Sequence, residues 1–353
     1  MIERKFDLDD ILIVPAKKSH IVSRYSDIQL KKTLPLFTAP MDTVVDLTNI
    51  DIFIDNNINV VLPRTVTYKD FKVKCLDVNF DRYKNTFISF GFNDFDLLLK
   101  NNLKDLHHGA HILLDIANGH MQKIVDYCTE FKRLRSDIII MVGNVANPKT
   151  FEWYVKSGTV DYIRLSIGTG NGCLTGKNSA VGYPLASLLI EINDLVIKYK
   201  GVSHITPKII ADGGMKEYSD IIKSLALGAD GVMLGSIFNK SFESCSNNYI
   251  YGIKIKSNNL AKYLYDKGFP IKKHYRGMST KEVQRKLNVK QIKTSEGVHR
   301  IRKVEYYLSG WIENFNHYLR NTMSYCGCKT LEDFIGNVEY ILITKSSYVR
   351  FDK

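Results

Sequence analysis

A glycine-rich segment that ends in a cysteine is the feature of the sequence with the clearest chemical potential. It runs Ser166-Ile-Gly-Thr-Gly-Asn-Gly-Cys173-Leu-Thr175-Gly, with three glycines within five residues before the cysteine. Such a loop exposes backbone amides and carbonyls, and a cysteine at its end, just before a helix, can have a lowered pKa and act as a nucleophile. Thr175 can relay a proton if a carboxylate lies nearby, and Glu296 is our candidate for that carboxylate.

Two glycine-containing turns suit a phosphorylated ligand. One is Asp212-Gly213-Gly214 and the other is Gly235-Ser236, and each follows a short apolar run. Backbone N–H groups of glycines can approach a phosphate closely, and Asp212 can accept hydrogen bonds from ribose hydroxyls. Either turn alone is typical of an ordinary loop, whereas the two together with Asp212 favour a nucleotide site.

Eight short apolar runs would position these residues, each ended by Gly, Pro, Asp or Asn. They are Leu36–Ala39, Ile58–Leu62, Phe87–Phe90, Ile112–Ile116, Ile138–Val142, Tyr162–Ile167, Lys208–Ala211 and Gly231–Leu234. Each is too short for a helix and rich in β-branched residues, which is typical of strands buried on both faces. Helix-length segments such as Met121–Leu134, Lys149–Lys156 and Ser219–Leu227 separate most of them.

This alternation, repeated eight times, predicts an α/β protein with a closed (β/α)8 TIM barrel. The alternative is an open doubly wound sheet, but no Gly-x-Gly-x-x-Gly turn follows the first run. In a barrel the residues that follow the strands converge on one mouth, where catalytic groups are found.

Two intervals after predicted strands are longer than a single helix and its loops require, and connections of that length are usually functional or disordered. One, 168–206, begins with the glycine-rich loop and continues into the helical pattern Pro184–Tyr199. The other, about 238–304, is predicted to be a mobile flap inserted after strand 8. A helical pattern over Glu305–Tyr325 would then close a single barrel domain spanning 1–353, and Leu331–Phe334 would start another helix.

The composition excludes several classes of protein. With 44% hydrophobic and 24% charged residues the chain has globular composition rather than that of a disordered protein. No apolar stretch approaches the roughly 18 residues of a membrane span, and the start leads into no signal-peptide core. Six cysteines are too few for a disulfide scaffold. We interpret Cys75 and Cys128 as inert buried residues, and expect a cytoplasmic protein without a structural metal.

Most of the formal charge of +12 lies in one block. Residues 267–303 carry twelve Lys or Arg and two acidic residues, a local balance of +10. Such a block can bind nucleic acid, cover a phosphorylated small molecule, or form a solvated positive face.

Over nearly its whole length the sequence resembles the IMP dehydrogenase/GMP reductase family. The motifs that carry the resemblance are Lys18-Ser-His-Ile-Val-Ser-Arg24, Ala39-Pro-Met-Asp-Thr-Val44, Asp115-Ile-Ala-Asn-Gly119, Gly143-Asn-Val145, Gly168-Thr-Gly-Asn-Gly-Cys-Leu-Thr175, Val181-Gly-Tyr-Pro184, Ala211-Asp-Gly-Gly214, Met233-Leu-Gly-Ser236, Tyr275-Arg-Gly-Met-Ser279 and Ser295-Glu-Gly297. Their order and spacing together indicate membership.

The resemblance implies one of two activities. Both begin when a cysteine thiolate attacks purine C2; the reductase then expels ammonia from GMP and takes a hydride from NADPH, whereas the dehydrogenase passes hydride from IMP to NAD and hydrolyses the adduct. Only seventeen residues separate Met278 from Glu296, without the Arg-Tyr pair of dehydrogenase flaps, and Pro63 to Phe87 leaves no room for a CBS regulatory insert. The reductase is therefore our prediction, although 39–42 and 275–278 look more like the dehydrogenase.

The resemblance also implies residue roles. Cys173 would be the nucleophile, and Thr175 with Glu296 would move the proton that lets ammonia leave. The expected substrate-binding residues are Asp212, Gly213, Gly214, Gly235 and Ser236 for ribose and phosphate, and Gly277, Met278, Ser279, Lys293, Ser295 and Gly297 over the purine.

The expected NADPH-binding residues are Asp115, Ile116, Ala117 and Arg64 on the nicotinamide side, and Ser23, Arg24 and the segment from Asn321 to Ser324 on the distal side, across a subunit boundary. The backbone carbonyls of Gly168, Gly170 and Cys173 match those that hold a monovalent cation, potassium, in relatives. Relatives are tetramers, so a homotetramer is expected.

Some positions depart from the family pattern. Asn171 replaces a phosphate-contacting serine, Leu174 and Gly176 stand where relatives often have Thr and Arg, and Lys293 replaces an arginine and loses its bidentate geometry. The alternatives to a GMP reductase are an IMP dehydrogenase and a non-catalytic nucleotide- or RNA-binding protein that uses the basic block; with the three catalytic residues present, nucleic acid is the less expected partner.

Overall fold

The computed structural model describes residues 3–77, 80–170, 172, 174–201, 206–289, 291–292, 294–295 and 297–351. The strands of these residues are β1 (Ile11–Ile13), β2 (Leu36–Thr38), β3 (Val61–Leu62), β4 (Phe87–Phe90), β5 (His111–Asp115), β6 (Ile139–Val145), β7 (Tyr162–Leu165), β8 (Lys208–Asp212), β9 (Gly231–Leu234), β10 (Asn248–Ile250), β11 (Ile253–Ile255), β12 (Lys272–Arg276), β13 (His299–Lys303) and β14 (Tyr340–Leu342).

The helices of the described residues are α1 (Ile50–Asp55), α2 (Tyr68–Asp77), α3 (Phe80–Tyr83), α4 (Phe92–Lys100), α5 (Gln122–Leu134), α6 (Pro148–Ser157), α7 (Thr175–Ser179), α8 (Leu185–Tyr199), α9 (Tyr218–Ala226), α10 (Ser236–Asn239), α11 (Asn258–Asp266), α12 (Lys281–Lys286), α13 (Leu308–Cys326), α14 (Leu331–Phe334) and α15 (Lys345–Phe351). A 3-10 turn covers Leu8–Asp10. No helix of the described residues combines the length and apolar character that a membrane crossing requires.

Strands β2 to β9 form a parallel barrel. Their order is β2-β9-β8-β7-β6-β5-β4-β3. Hydrogen bonds close the ring, because Asn59, just before β3, accepts from the Thr38 amide and donates its own amide to Leu36, both at 3.0 Å. Each of the eight predicted runs overlaps one of these strands, so the predicted TIM barrel is confirmed.

The strands are apolar on both faces because both faces are buried. In β5, Ile112 and Leu114 pack into the layer between the strands and the helices, whereas Leu113 points into the barrel. The barrel interior is filled by Phe37, Ala39, Val61, Phe87, Leu113, Met141, Ile210 and Met233. A solid interior of this kind leaves the ends of the strands as the place for a ligand.

The long interval after β9 folds as a second sheet, here called the insertion sheet (β10 to β13), accompanied by α11 and α12. Its strands are antiparallel in the order β11-β10-β12-β13. Lys273 of β12 anchors it: the side chain is 2% exposed and Nζ donates to the carbonyls of Phe242 and Ser244, each at 2.5 Å. Burial lowers the pKa of Lys273 to about 8. The mobility expected of this interval stays a prediction.

Helix α13 runs from the mouth of the barrel to its opposite face. It starts beside the end of β9, where the Leu308 amide donates to Glu243. Beyond its C-terminal end, Thr330 pairs with Gln29, and Leu331 lies with residues that precede β2, β8 and β9. In the C-terminal half of α13, Asn321 and Thr322 border a separate groove together with Lys216 and Glu217.

Candidate active site

An open cleft lies at the carboxyl ends of the barrel strands and encloses about 1200 Å³ counted out to its mouth. The predicted site residues that line it are Arg64, Asp115, Ala117, Gly168, Gly170, Thr175, Asp212, Gly213, Gly214, Gly235, Ser236, Gly277, Met278 and Ser279. These residues come from strand-end loops far apart in the chain and from the insertion. The barrel thus brings most of the predicted site together.

Several predicted residues lie elsewhere. Ile116 packs into the layer between the strands and the helices. Ser295 and Gly297 lie beside the cleft rather than in its lining, with the Ser295 hydroxyl donating to the Gly297 carbonyl at 3.0 Å. Cys173, Lys293 and Glu296 lie outside the described residues. Gly172, directly before the cysteine, and Thr175, two residues after it, line the cleft.

The Asp212-Gly213-Gly214 turn forms one wall of the cleft. Both glycines have positive φ, +92° and +86°, a conformation that residues with a Cβ adopt only with strain. A Cβ on Gly213 would also stand 3.0 Å from the amide nitrogen of Gly170. The turn requires glycine because it packs directly against the glycine-rich loop, and this contact fixes how the loop enters the mouth.

Gly235 lies in a narrow gap between the barrel and the insertion. A Cβ there would be 3.0 Å from Met41 Sδ and 3.5 Å from the hydroxyl of Tyr275. The following Ser236 begins the short helix α10. Backbone amides at Gly214 and at the start of α10 therefore border the same cleft, which suits an anionic group such as phosphate.

Residues 275–280, here called the cap, connect the glycine-rich loop to the insertion sheet. The Val298 amide donates to the Gly172 carbonyl at 3.0 Å, and the Gly277 amide donates to the Val298 carbonyl at 3.0 Å. A Cβ on Gly277 would stand 2.5 Å from the Gly172 oxygen. The cap and the segment that carries Cys173 are therefore in backbone contact, so a shift in one would move the other.

A chain of charges crosses the floor of the cleft. Arg164 of β7 is 7% exposed and bridges two carboxylates, with Nη1 2.7 Å from Asp115 Oδ1 and Nη2 2.8 Å from Asp212 Oδ2. Asn144 donates to the same Asp212 oxygen at 2.8 Å, and Arg64 Nε lies 3.1 Å from Asp115 Oδ2. Burial by itself lowers the pKa of Arg164, but the charges of Asp212 and Asp115 outweigh it and raise that pKa. Arg164 thus links the predicted ribose carboxylate to the predicted cofactor carboxylate.

A second charge cluster holds the cap to the barrel. Asp42, in the loop after β2, accepts from Arg276 of the cap and forms an ion pair with Lys286 of α12 at 3.0 Å. Arg276 also pairs with Glu282. The side chains of Asp42 and Arg276 are each 8% exposed. One buried carboxylate therefore binds cations on both sides of Met278, the residue at the centre of the predicted purine cover.

The predicted distal cofactor residues form a separate group. Arg24 donates to Asn321 Oδ1 at 2.9 Å, and the Ser324 carbonyl accepts from Ser19 at 2.8 Å. Asn321 and Ser324 belong to the C-terminal half of α13, and neither they nor Ser23 and Arg24 line the cleft. The structure does not bring this group to the mouth within one chain.

The Arg64 side of the cleft fits a nicotinamide nucleotide. Gly91 leaves room for the guanidinium, since a Cβ there would lie 3.0 Å from Arg64 Nη1, and Ala117 presents little bulk. Arg64 offers a cation to a phosphorylated cofactor, and Asp115 an acceptor for its hydroxyl or amide groups. The potassium prediction stays a prediction: Gly168 and Gly170 line the cleft, and the third ligand, Cys173, is not described.

Four residues at or beside the cleft were not among the predicted site residues. Asn144, Arg164 and Tyr275 line the cleft, and Asp42 holds the cap. Arg164 carried a signal, because it is a charge in the middle of an apolar strand, and buried charges in proteins are usually paired. Tyr275 is buried, with the Arg302 guanidinium 4.4 Å above its ring. Asp42 had no such signal, since its partners lie over 230 residues away.

Two cysteines outside the site, Cys75 and Cys128, are buried as predicted. Burial raises the pKa of Cys75 to about 11 and raises that of Cys128 further. A thiol is a nucleophile only when ionised, so neither competes with a cysteine at the mouth.

Comparisons with known proteins agree on one relationship. The family model described as IMP dehydrogenase / GMP reductase domain matches residues 100–350. The chain is 26% identical to a GMP reductase of Caenorhabditis elegans over 99% of its length and 96% of the relative's. It is 29% identical to a GMP reductase of Buchnera aphidicola, with the same two shares, and 26% identical to human GMP reductase 1 over 97% of this chain and 96% of that one.

Proposed function

The chain belongs to the IMP dehydrogenase / GMP reductase family, and we propose that within it the protein reductively deaminates GMP to IMP and ammonia with NADPH. The observation that carries the proposal is the junction of Gly172 with the cap at the mouth of the barrel. There Gly170 lies against Gly213 of the nucleotide turn, Gly172 lies against Gly277 of the cap, and Met278 lines the same cleft. A nucleotide held by that turn would present its base to the segment bearing Cys173.

In the proposed reaction, the Cys173 thiolate adds to C2 of the guanine ring and forms a carbon–sulfur bond. Protonation of the exocyclic amine lets it leave as ammonia, with C2 still bound to sulfur through a covalent intermediate. Delivery of a hydride to C2 then breaks the carbon–sulfur bond, releasing IMP and regenerating the thiolate. The reaction balances as GMP, NADPH and one proton giving IMP, NADP⁺ and NH₃, with a second proton taken up when ammonia becomes ammonium.

Thr175 and Glu296 are proposed to move the proton to the departing amine. Thr175 begins α7 and lines the cleft two residues beyond the proposed nucleophile. General acid catalysis of this kind typically contributes ~10²–10⁴-fold.

When bound, NADPH supplies the hydride. Asp115, Ala117 and Arg64 would hold its nicotinamide half beside the purine, where the cleft is continuous with the nucleotide turn. The Arg164 bridge would hold the carboxylates of Asp115 and Asp212 in place as acceptors for both ligands. Ser23, Arg24, Asn321 and Ser324 do not line the cleft of their own chain, so we propose that they contact the distal half of the cofactor from a second copy in a homotetramer.

The reductase is favoured over the dehydrogenase by the short segment between Met278 and Glu296. Helix α12 takes up six of its seventeen residues, which leaves little chain for a long flap that would carry a hydrolytic Arg-Tyr pair. Relatives named GMP reductase also align with the chain end to end.

The proposal is tested by incubating the purified protein with each nucleotide–cofactor pair and following nicotinamide absorbance and the nucleotide products. We expect GMP-dependent NADPH oxidation with equal amounts of IMP and ammonia. Formation of XMP from IMP and NAD, without NADPH oxidation by GMP, would assign the dehydrogenase reaction instead. The Cys75→Ala variant is the matched control for thiol chemistry and should retain activity.

A further inference from the structure

The net charge of the protein is concentrated in the interval that carries the insertion sheet. Residues 238–304 hold sixteen Lys or Arg and four Asp or Glu, a balance of +12 that equals the charge of the whole chain. The rest of the chain is therefore electrically balanced. A nucleotide and a cofactor at the mouth would account for a few of these cations, but most lie away from the cleft lining.

The strands of the insertion sheet contain no acidic residue. Their sixteen residues, in β10, β11, β12 and β13, include seven Lys or Arg. Two of these strands run Lys-Lys-His-Tyr-Arg and His-Arg-Ile-Arg-Lys. Two of the seven cations, Lys273 and Arg276, are buried, and the other five have no acidic residue beside them on these strands. A solvated sheet face normally mixes charges of both signs, so this composition indicates an anionic partner.

The register of the sheet aligns three lysines and one tyrosine in one row across all four strands. Tyr249 lies opposite Lys254 on one side and opposite Lys272 on the other, and Lys272 lies opposite Lys303. Lys273, the next residue on β12, is buried beneath the sheet, so the row faces outward. The three lysines are exposed, and none of them forms an ion pair with another described residue.

This row is unfavourable without a ligand. Like charges directly opposite on neighbouring strands destabilise a sheet, and Lys272 and Lys303 are such a pair. Neighbouring strands are about 5 Å apart, so the row presents ammonium groups over roughly 15 Å. Tyr249 stands between two of them, with its ring 4.5 Å from that of His274.

We infer that the outer face of the insertion sheet binds a single-stranded polynucleotide. Proteins that bind single strands combine a row of cations for the phosphates with aromatic rings on which bases stack, and four-stranded sheets are one of the folds that do so. The row provides both, with Tyr249 as the stacking ring and the three lysines as phosphate contacts. An acidic peptide would pair with the lysines but would offer no base to stack on the ring of Tyr249. This inference does not rest on the proposed function.

The test is fluorescence anisotropy with a labelled oligouridylate over a series of salt concentrations, using the full chain. Changing Lys254, Lys272 and Lys303 together to Gln should lower the magnitude of the salt slope by about 2, since each phosphate contact on a single strand contributes about 0.7. Tyr249→Ala should weaken binding about ten-fold. GMP turnover should stay unchanged in both, since these residues are outside the cleft.

The matched control changes the exposed Lys69, Lys104 and Lys149 to Gln, which removes the same charge from other surfaces. It should keep the salt slope of the parent. Equal losses in the two triple variants would overturn the inference, because they would show attraction to net charge alone. Competition of the oligonucleotide by NADPH, or equally tight binding of polyglutamate, would overturn it as well. Thermal melts verify folding, and the row variant should be no less stable than the parent.

Discussion

Replacing Asp42 by asparagine should loosen the cap over the cleft. The substitution keeps the shape and one acceptor of the side chain but removes the charge that binds both Arg276 and Lys286. Arg276 would then be left in its buried position with Glu282 alone. Because Arg276 directly precedes Gly277 and Met278, which line the cleft, weaker docking of this arginine should be felt as weaker nucleotide binding.

The magnitude follows from burial. Breaking a fully buried ion pair costs about 3–5 kcal/mol, but Glu282 still compensates part of the Arg276 charge, so we expect about 2–3 kcal/mol. The Lys286 pair is 50% exposed on the lysine side and contributes at most about 1 kcal/mol. If this free energy is lost from the contact between the cap and the barrel, the KM for GMP should rise roughly 30- to 150-fold.

Steady-state kinetics with GMP and NADPH, together with calorimetric titration of GMP, would measure the effect. Lys286→Gln is the control, because it removes only the half-exposed pair and should change KM less than about five-fold. An Asp42→Asn protein with the parent's KM and GMP affinity would refute the assignment of Asp42 as the residue that positions the cap.

Three other substitutions test separate parts of the structure. Gly213→Ala forces a side chain into a positive-φ turn that packs on the glycine-rich loop. Calorimetry should show GMP affinity at least ten-fold lower and a melting temperature lower by a few degrees, because the strain is in the folded state; unchanged affinity and stability would contradict the close packing. Arg164→Gln leaves Asp115 and Asp212 without their shared counter-ion and should lower the free energy of unfolding in urea by about 3 kcal/mol, whereas a change below about 1 kcal/mol would contradict the bridge. The pKa of Lys273 is lowered to about 8, so between pH 8 and the ordinary lysine pKa near 10.5 the unfolded chain binds more protons than the folded chain. The contribution of Lys273 to the free energy of unfolding therefore rises with pH across that window. Denaturation near pH 8 and near pH 10.5 should show the Lys273→Met variant losing stability relative to the parent as the pH rises, and a pH-independent difference would refute the assignment.

The barrel was predictable from sequence because its strands are buried on both faces. Each strand is therefore a short, nearly continuous apolar run, which stands out from the polar residues before and after it in the sequence. The strand-end loops that form the mouth followed from the same runs, since parallel strands all end at one edge of the barrel. This is why Asp212 and Gly235 could be placed at one site from spacing alone.

The insertion sheet was not predictable in the same way. Its strands lack apolar alternation, because the outward face carries lysines and the inward face of β12 carries Lys273. Their sequence reads as a basic block, and only long-range pairing makes it a sheet. The ion pairs of Asp42 and Arg164 share this difficulty, since each joins residues that come together only when the barrel closes. An arginine within an apolar strand nonetheless indicates a buried ion pair, because a charge at such a position requires a partner.

The proposed mechanism depends most on the reaction of the Cys173 sulfur at the mouth of the barrel. The most direct measurement is therefore GMP-dependent NADPH oxidation by the Cys173→Ala variant, with GMP binding determined on the same preparation. We expect the variant to bind GMP and to oxidise no NADPH, because the ribose and phosphate turns are intact and the nucleophile is gone. Turnover at the parent's rate would contradict the proposed mechanism.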